Sequence, residues 1–170
     1  MCPVGYDFVM ARKEREVTLR FLAEPTDVNF GGKVHGGAVM KWIDQAGYAC
    51  AAGWSGQYCV TAYVSGIGFY RPVPIGNMVE VRAKLIYTGR TSMHIAVDVS
   101  AGDPKESLYA QTTHCIIVFV AVDDQGRPVE VERWGPETEE DVALERYAKR
   151  LMELRKGIDE EMSLHGGRKT

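Results

Sequence analysis

The sequence has no apolar run long enough to cross a membrane and no surplus of basic residues. A membrane-spanning helix needs about 18 or more consecutive apolar residues, and no apolar run in this 170-residue chain approaches that length. The formal net charge of -3 argues against a protein that binds nucleic acid or another polyanion over its whole surface. The sequence therefore predicts neither a membrane nor a nucleic-acid partner.

Cysteine and histidine are few, and they are scattered. The four cysteines (Cys2, Cys50, Cys59 and Cys115) form no C-x-x-C pair, and the first residues lack the apolar segment of a secretory signal. We therefore expect reduced thiols and a cytoplasmic location. The four histidines show no spacing typical of zinc ligands, so no structural metal is expected.

Three common catalytic patterns are also missing. The glycine-rich stretch Gly31–His35 lacks the spacing of a P-loop, and no G-x-S-x-G nucleophile elbow occurs. No cysteine lies beside a basic cluster that would favour a thiolate. Catalysis by a P-loop, a serine nucleophile or a cysteine nucleophile therefore has no support in the sequence.

Periodicity predicts strands arranged around a single apolar helix. Residues 37–52 are rich in alanine and lack proline, which favours a helix that ends at Gly53 and is wrapped by other structure. Alternation of apolar and polar residues predicts five strands. These strands cover residues 16–22, 58–70, 79–85, 93–99 and 109–122.

The order of these elements predicts an α+β domain. Short turns join the four later strands, so we expect an antiparallel meander that wraps the helix. Gly66 and Gly68 inside a strand indicate a bulge or a close approach. Thr138 and Asp141 form a variant of the capping box that begins an outer amphipathic helix. The chain accordingly divides into an N-terminal arm (1–14), a domain (15–128) and a C-terminal loop, helix and tail (129–170).

The stretch Pro25–Gly37 and the helix after it carry the candidate chemistry. Gly36 and Gly37 lead into the helix, where free N–H groups at the positive end stabilise an anion or a developing oxyanion. Asp44 lies about two turns further on. It shares a polar stripe with Lys41, Gln45 and Tyr48. The stripe is either a solvent-exposed helix face or an internal wet cleft, and Asp44 is either a surface partner of Lys41 or a general base or nucleophile.

These residues resemble those of the hotdog-fold acyl-CoA thioesterases, both the bacterial short-chain enzymes and the eukaryotic cytosolic acyl-CoA hydrolases. The resemblance covers about residues 15–150. It implies a hotdog fold, with an antiparallel sheet of five to six strands around one central helix and a C-terminal outer helix. The matching motifs are Pro25-x-Asp27-x-Asn29-x-x-Gly32-x-Val34-His35-Gly36-Gly37 followed by Met40 and Asp44, Phe69-x-Arg71-Pro72-Val73-x-x-Gly76, Thr88-Gly89-Arg90-Thr91-Ser92 and Phe119-Val120-Ala121-Val122-Asp123.

The resemblance implies hydrolysis of an acyl-CoA to a free fatty acid and CoA, without a resident cofactor or metal. Asp44 would be the general base or nucleophile, and Asn29 would orient the lytic water or the thioester. The amides of Gly36 and Gly37 would polarise the thioester carbonyl. His35 is assigned a structural part in the same substrate-facing turn. In relatives with this loop, the Asn and the Asp of one site come from different subunits, which implies at least a homodimer, with trimers of dimers common.

The resemblance also suggests where coenzyme A binds. We expect it along the glycine-bearing strand 58–70. Arg71, Arg90, Thr91 and Ser92 are candidates for its phosphates, because an arginine fork suits phosphate. The alternative is that these four are ordinary turn and surface residues. Lys33 departs from the Asn common at that position in the family, and whether it meets the nucleotide stays open.

Two other functions remain as alternatives. The first is a hotdog module that binds or senses acyl-CoA without turning it over, and the presence of both Asp44 and Asn29 argues against it. The second is a different hotdog enzyme such as a dehydratase. A dehydratase needs a catalytic His–Asp arrangement on the loop and helix, which the sequence does not show.

Overall fold

The computed structural model describes residues 13–165 of the chain. The predicted arm therefore lies almost entirely outside the described residues, as does the end of the predicted tail. Within the described range, a short 3-10 turn (Pro25–Asp27) precedes the first α-helix. The regular elements are β1 (Glu16–Leu22), α1 (Gly36–Ser55), β2 (Tyr58–Val64), β3 (Gly68–Phe69), β4 (Met78–Thr88), β5 (Ser92–Gly102), β6 (Ala110–Val122) and α2 (Glu139–His165).

The strands form one antiparallel sheet with α1 packed against its inner face, as predicted. The strand order is β1-β4-β5-β6-β2, and the short β3 also pairs with β6. Alternate residues of the strands point inward, and their side chains meet the buried side of α1. Fully buried examples are Val79, Val81, Leu85, Ile95, Val97, Ile117 and Phe119 on the sheet and Ile43, Ala46 and Cys50 on the helix.

One part of the predicted topology is wrong. The strands β4, β5 and β6 form a meander, but β2 does not lie beside β4. It pairs with the other side of β6, with Tyr58 opposite Val122. The segment between β2 and β4 contains Pro72 and Pro74, and proline cannot extend a central strand because it lacks an N–H group. Here the chain leaves β6 and rejoins the sheet at β4, beside β1.

The predicted strand 58–70 is broken in two. β2 ends at Val64, residues 65–67 form no ladder, and β3 resumes pairing when Gly68 lies opposite His114. A register shift between Thr61 and Tyr63 adds a bulge inside β2. The glycines at 66 and 68 therefore mark a real interruption, and it is larger than the single bulge that the sequence suggested.

Helix α1 runs past the predicted stop at Gly53. It ends two residues later at Ser55, and the cap is Gly56 with φ 66°. A left-handed φ favours glycine at a helix end, so Gly56 ends the helix and Gly53 is an interior residue. Neither helix of the described chain combines the length and the apolar character that a membrane span requires.

Three cysteines lie inside the core. Cys50, Cys59 and Cys115 are free thiols and are at most 2% exposed. Burial raises the pKa of the Cys50 and Cys115 thiols to about 12, and it also raises the pKa of the Cys59 thiol. Burial thus disfavours the thiolate form of all three, so these cysteines serve as small apolar side chains.

The start of α2 is capped as predicted. The Asp141 N–H donates to Thr138 Oγ1 at 3.1 Å, and the Thr138 N–H donates to Asp141 Oδ2 at 3.3 Å. The buried Asp141 carboxylate also forms an ion pair with Arg15, just before β1. These contacts attach the first turn of α2 to the edge of the sheet where β1 begins.

From that edge, α2 crosses the outer face of the sheet. Over β4, Glu140 Oε1 lies 3.6 Å from Lys84 Nζ. At the other end of the crossing, the guanidinium carbon of Arg155 lies 3.9 Å from the centroid of the Tyr63 ring in β2. Between these points, α2 packs Leu144, Ala148 and Leu151 on an apolar cluster formed by Ile86, Ala96 and Ile116.

Candidate active site

The N-terminus of α1 is built by the turn that precedes it. His35 occupies the N-cap position with extended backbone angles, φ -77° and ψ 149°. Its ring Nδ1 accepts a hydrogen bond from the Ala38 N–H at 3.1 Å. A side chain that caps the first turn fixes where the helix starts. His35 therefore has a structural part in this turn.

Gly36 and Gly37 present backbone N–H groups at this helix end. In the described chain no hydrogen bond from either amide is found, as is usual for the first residues of a helix. A Cβ atom on Gly37 would come within 3.0 Å of the His35 ring, so glycine keeps the turn compact. Such amides can stabilise negative charge on a bound group.

A groove of about 180 Å³ adjoins the helix N-terminus. Gly36 lies on one side of it, and the loop that contains Arg71 lies on the other. The structure therefore brings two of the predicted site residues, Gly36 and Arg71, to the same groove. The groove is lined by Val34, Gly36, Val39, Phe69, Tyr70, Arg71, Pro72, Val73 and Thr113.

Asp44 lies on α1 about two turns beyond the glycines. Its Oδ1 atom accepts a hydrogen bond from the Thr61 hydroxyl of β2 at 2.6 Å. No ion pair between Asp44 and Lys41 is present in residues 13–165. The Thr61 contact fixes one carboxylate oxygen, and no hydrogen bond to Oδ2 occurs in the described chain.

Thr61 was not predicted as a site residue. It lies next to the bulge of β2, and it faces α1 together with Cys59. The only signal in the sequence is a threonine at an inward position of an otherwise apolar strand face. That signal cannot be used before the helix and the strand are known to pack against each other.

The polar stripe of α1 is exposed in the single chain. Lys41, Asp44, Gln45 and Tyr48 all lie on the side of the helix that the sheet does not cover. Of the two interpretations of the stripe, the single chain therefore shows the solvent-exposed helix face. The sheet reaches this side of the helix only at its β2 edge, where Thr61 meets Asp44, so a wet cleft around Asp44 would need a second chain.

Asn29 holds its own loop together. Its side-chain Oδ1 accepts hydrogen bonds from the N–H groups of Gly31, at 2.8 Å, and Lys33, at 3.2 Å. The loop also needs Gly32, whose φ is 76°. Among the hydrogen bonds of the described residues, none joins Asn29 to Asp44. One chain therefore does not unite these two predicted catalytic side chains by a direct bond.

The turn with Arg90, Thr91 and Ser92 lies at the other end of the sheet. Ser92 pairs with Val120 of β6, whereas Phe69, beside Gly36, pairs with Thr113. Seven residues of strand separate these positions, which corresponds to roughly 23 Å. The Arg90 side chain is mostly exposed and lies 3.4 Å from Glu130. Within one chain this turn is therefore distant from the helix N-terminus.

The structure offers no metal site among residues 13–165. It does contain a His–Asp pair, with His114 Nδ1 2.7 Å from Asp98 Oδ1. This pair lies on the outer face of the sheet, where the other ring nitrogen meets the Tyr147 hydroxyl of α2 at 3.3 Å. It is therefore not the loop-and-helix arrangement expected of a hotdog dehydratase.

A central helix wrapped on one side by an antiparallel sheet, with a glycine pair at its N-terminus and a carboxylate two turns on, defines a hotdog-fold protein. The family model of the thioesterase superfamily matches residues 31–108. The acyl-CoA thioester hydrolase YciA of Salmonella typhimurium is 35% identical over 117 residues, covering 66% of this chain and 87% of YciA. The chain therefore belongs to the hotdog acyl-CoA thioesterase family, and it is a hydrolase of the thioesterase type.

Solved structures agree with the fold. An apo-hexameric acyl-CoA thioesterase has a TM-score of 0.82 and 30% identity, covering 88% of this chain and 96% of that one. The acyl-CoA hydrolase of Staphylococcus aureus, in complex with butyryl coenzyme A, coenzyme A and coenzyme A disulfide, has a TM-score of 0.81 and 26% identity over 89% and 92% of the chains. Alanine variants of that hydrolase at an aspartate and at a threonine match with the same TM-score and 25% identity.

Proposed function

We propose that the protein hydrolyses acyl-CoA thioesters to a free carboxylic acid and CoA, with Asp44 as general base or nucleophile. The observation that carries this proposal is the Asp44 carboxylate, held by Thr61 at 2.6 Å and placed two turns from a glycine pair with free amides. The family of the chain supports the reaction class, and the butyryl coenzyme A in the complex of the S. aureus hydrolase supports the substrate.

The helix N-terminus stabilises the charge that develops on the thioester carbonyl oxygen. When an oxygen nucleophile adds to the thioester carbon, negative charge develops on the carbonyl oxygen. The Gly36 and Gly37 amides are fixed donors and need no rearrangement to meet that charge. Each preorganised donor of this kind contributes about 3 to 4 kcal/mol to the stability of the transition state.

Asp44 supplies the nucleophilic part. As a general base, it takes a proton from water, the water oxygen adds to the carbonyl carbon, the C–S bond breaks, and the proton passes to the departing CoA sulfur. As a nucleophile, its oxygen adds to the carbonyl carbon and the C–S bond breaks to release CoA, which leaves a mixed anhydride; water then hydrolyses the anhydride to the free acid and restores the Asp44 carboxylate. Thr61 holds Oδ1 in either route and leaves Oδ2 to act. The geometry of one chain is compatible with both routes.

The proposal includes a homo-oligomer in which two subunits share each site. Asn29 and Asp44 of one chain make no direct bond, and the stripe around Asp44 is exposed until a second subunit covers it. In this arrangement Asn29 of one subunit orients the water or thioester at Asp44 of the other. The hexameric relative supports a homo-oligomer, and the assembly proposed here is a trimer of such dimers.

The proposal places coenzyme A at the groove beside Gly36, with Arg71 at its rim. Arg90, Thr91 and Ser92 remain proposed phosphate ligands. Because that turn lies roughly 23 Å along the sheet from Gly36, it would meet the same CoA only if the ligand extended along the sheet or if another subunit supplied the turn.

A thiol-release assay over a series of acyl-CoA chain lengths tests the reaction and the site. Wild type should release CoA, and Asp44→Ala and Asn29→Ala should lower kcat by on the order of a hundredfold or more. Asp124→Ala, an exposed carboxylate in the loop after β6, is the matched control and should keep its activity. Unchanged hydrolysis by Asp44→Ala would contradict the site assignment. Binding of acyl-CoA without any hydrolysis by wild type would favour the binding module.

A further inference from the structure

We propose that residues 154–164 of α2 pack antiparallel against the same segment in a second copy of this chain. The proposal concerns the outer helix and not the catalytic residues. It depends on the proposed function in one respect, because the homo-oligomer proposed above must hold two copies of the chain close together. The segment 154–164 is called the α2 tail below.

The α2 tail extends past the sheet. The helix crosses β4, β5 and β6 and meets β2 through the contact of Arg155 with Tyr63. After that contact, the hydrogen bonds and ion pairs found in the described chain stay within the helix, as in Arg155 to Asp159 and Ser163 to the Glu160 carbonyl. The sheet therefore supports the first half of α2 and leaves the tail without a surface of its own chain.

The apolar stripe of α2 nevertheless continues along the tail. Leu154, Ile158 and Met162 are spaced four residues apart, so they share one helix face. Their exposed fractions are 50%, 49% and 56%, and Leu164 nearby is 75% exposed. A helix end that pointed only into water would be expected to carry polar residues on this face as well. The stripe therefore suits a second apolar surface.

The charges along the α2 tail indicate that the second apolar surface is another copy of the tail in antiparallel orientation. Arg150 and Arg155 border the apolar stripe just before and at the start of the tail. Asp159 and Glu161 border it further on, and no lysine or arginine occurs from residue 157 to 165. An antiparallel pair places the basic end of one helix beside the acidic end of the other, whereas a parallel pair places like charges together. The segment is thus complementary to itself under two-fold symmetry.

The spacing of the stripe fixes the register. Ile158 is midway between Leu154 and Met162, so a two-fold axis at Ile158 sets Leu154 of each helix against Met162 of the other. Three turns of helix bury much less than the roughly 1,200 Å² typical of a stable interface. The tail pair therefore adds to a larger association between the copies and does not create one alone.

Disulfide trapping in the full-length protein tests this register. In a Cys2→Ser background the other three native thiols are buried, so an introduced cysteine reports on the tail. Ile158→Cys should form a disulfide-linked dimer in most of the protein under mild oxidation. Lys156→Cys, on the opposite face of the helix, is the matched control and should remain largely unlinked. A mixture of Leu154→Cys and Met162→Cys subunits should link to each other after subunit exchange.

Light scattering on the same samples measures the oligomeric state. It therefore distinguishes failure of the tail pairing from failure of the proposed homo-oligomer. If the protein is oligomeric and Ile158→Cys stays unlinked, or Lys156→Cys links equally well, the tail pairing is wrong while the proposed function stands. Strong linking of Leu154→Cys to itself would show a parallel pair and would also overturn the proposal. A monomeric wild type would contradict both the tail pairing and the shared site.

Discussion

His94 is a buried imidazole on the outer face of the sheet, covered by α2. It is 5% exposed, and its ring packs against the Tyr87 ring with 5.2 Å between centroids. Burial, together with the positive charge of Arg155, lowers the pKa of His94 to about 4. The folded protein therefore keeps this histidine neutral at pH values where an unfolded chain would begin to protonate it.

This depressed pKa makes stability depend on pH. Below the ordinary histidine pKa of about 6.5 the unfolded chain binds a proton that folded His94 does not. The free energy of unfolding should therefore fall as the pH drops from about 6.5 towards 4, by up to about 1.4 kcal/mol per pH unit from this group. Urea unfolding at pH 7.5 and pH 5 should show a smaller pH difference for His94→Gln than for wild type. Equal differences in the two proteins would contradict the assignment to His94.

At the level of single residues, the sequence allowed candidate catalytic side chains to be identified, but it did not allow the contacts of those side chains to be predicted. Asp44 stands out because a carboxylate on an apolar helix is rare, and its position relative to Gly36 follows from helix geometry alone. Its partner Thr61 could not be predicted, because the contact depends on how α1 crosses β2 and on a bulge between Thr61 and Tyr63. The catalytic roles of Asp44, Asn29 and the glycine amides stay predictions.

Among the elements, α1 depends on a glycine where it meets the sheet. A Cβ atom on Gly47 would lie 2.8 Å from Phe119 Cε2 and 3.0 Å from Ile117 Cγ2. These distances are too short for carbon atoms in contact, and both neighbours are buried. Gly47 therefore lets the helix approach β6 closely.

Two alanine substitutions in α1 should have opposite effects. Gly47→Ala should lower the free energy of unfolding by about 1 to 3 kcal/mol, because the core must shift to admit the methyl group. Gly53→Ala, where no atom lies within 4 Å of the added Cβ, should raise it by up to about 1 kcal/mol through helix propensity. Urea denaturation of both variants measures these changes. Stabilisation by Gly47→Ala would show that Phe119 can move aside at little cost.

The elements themselves were largely predictable from their periodicity, and their ends and neighbours less so. Alternation located the strands because one face of each is buried. The helix ends at Ser55 with Gly56 as its cap, and not at Gly53. The sequence shows a glycine at both positions, and the φ angle that distinguishes a capping glycine is known only once the chain is folded. The placement of β2 beyond β6 was missed because a long connection does not say on which side of a sheet the next strand pairs.

The whole molecule offers a direct test of the shared site. Asp44→Ala and Asn29→Ala proteins should each be inactive, but mixed dimers should contain one intact site. After subunit exchange, the mixture should recover about a quarter of wild-type activity, because half of the dimers are mixed and each has one working site of two. Thiol release before and after exchange measures the recovery. Persistent inactivity after proven exchange would place Asn29 and Asp44 of each site on the same chain.

Assembly was also the level at which the sequence was least informative. The fold class and the family follow from motifs within one chain, and both are confirmed. The exposure of the Asp44 stripe and the overhang of α2 appear only when the chain is folded. The cytoplasmic location, the domain boundaries and the lack of a resident cofactor stay predictions.

The burial of three cysteines matters because the proposed reaction releases a thiol, CoA. Each turnover releases CoA, which is itself a thiol, and once CoA is oxidised to its disulfide it can form a mixed disulfide by exchange with an accessible protein thiolate. Cys50, Cys59 and Cys115 are at most 2% exposed, and burial raises the pKa of each thiol. The three thiols within residues 13–165 are therefore protected from reaction with the CoA that the enzyme releases. A thiol reagent added to the folded protein during turnover would count the CoA released and not these three side chains.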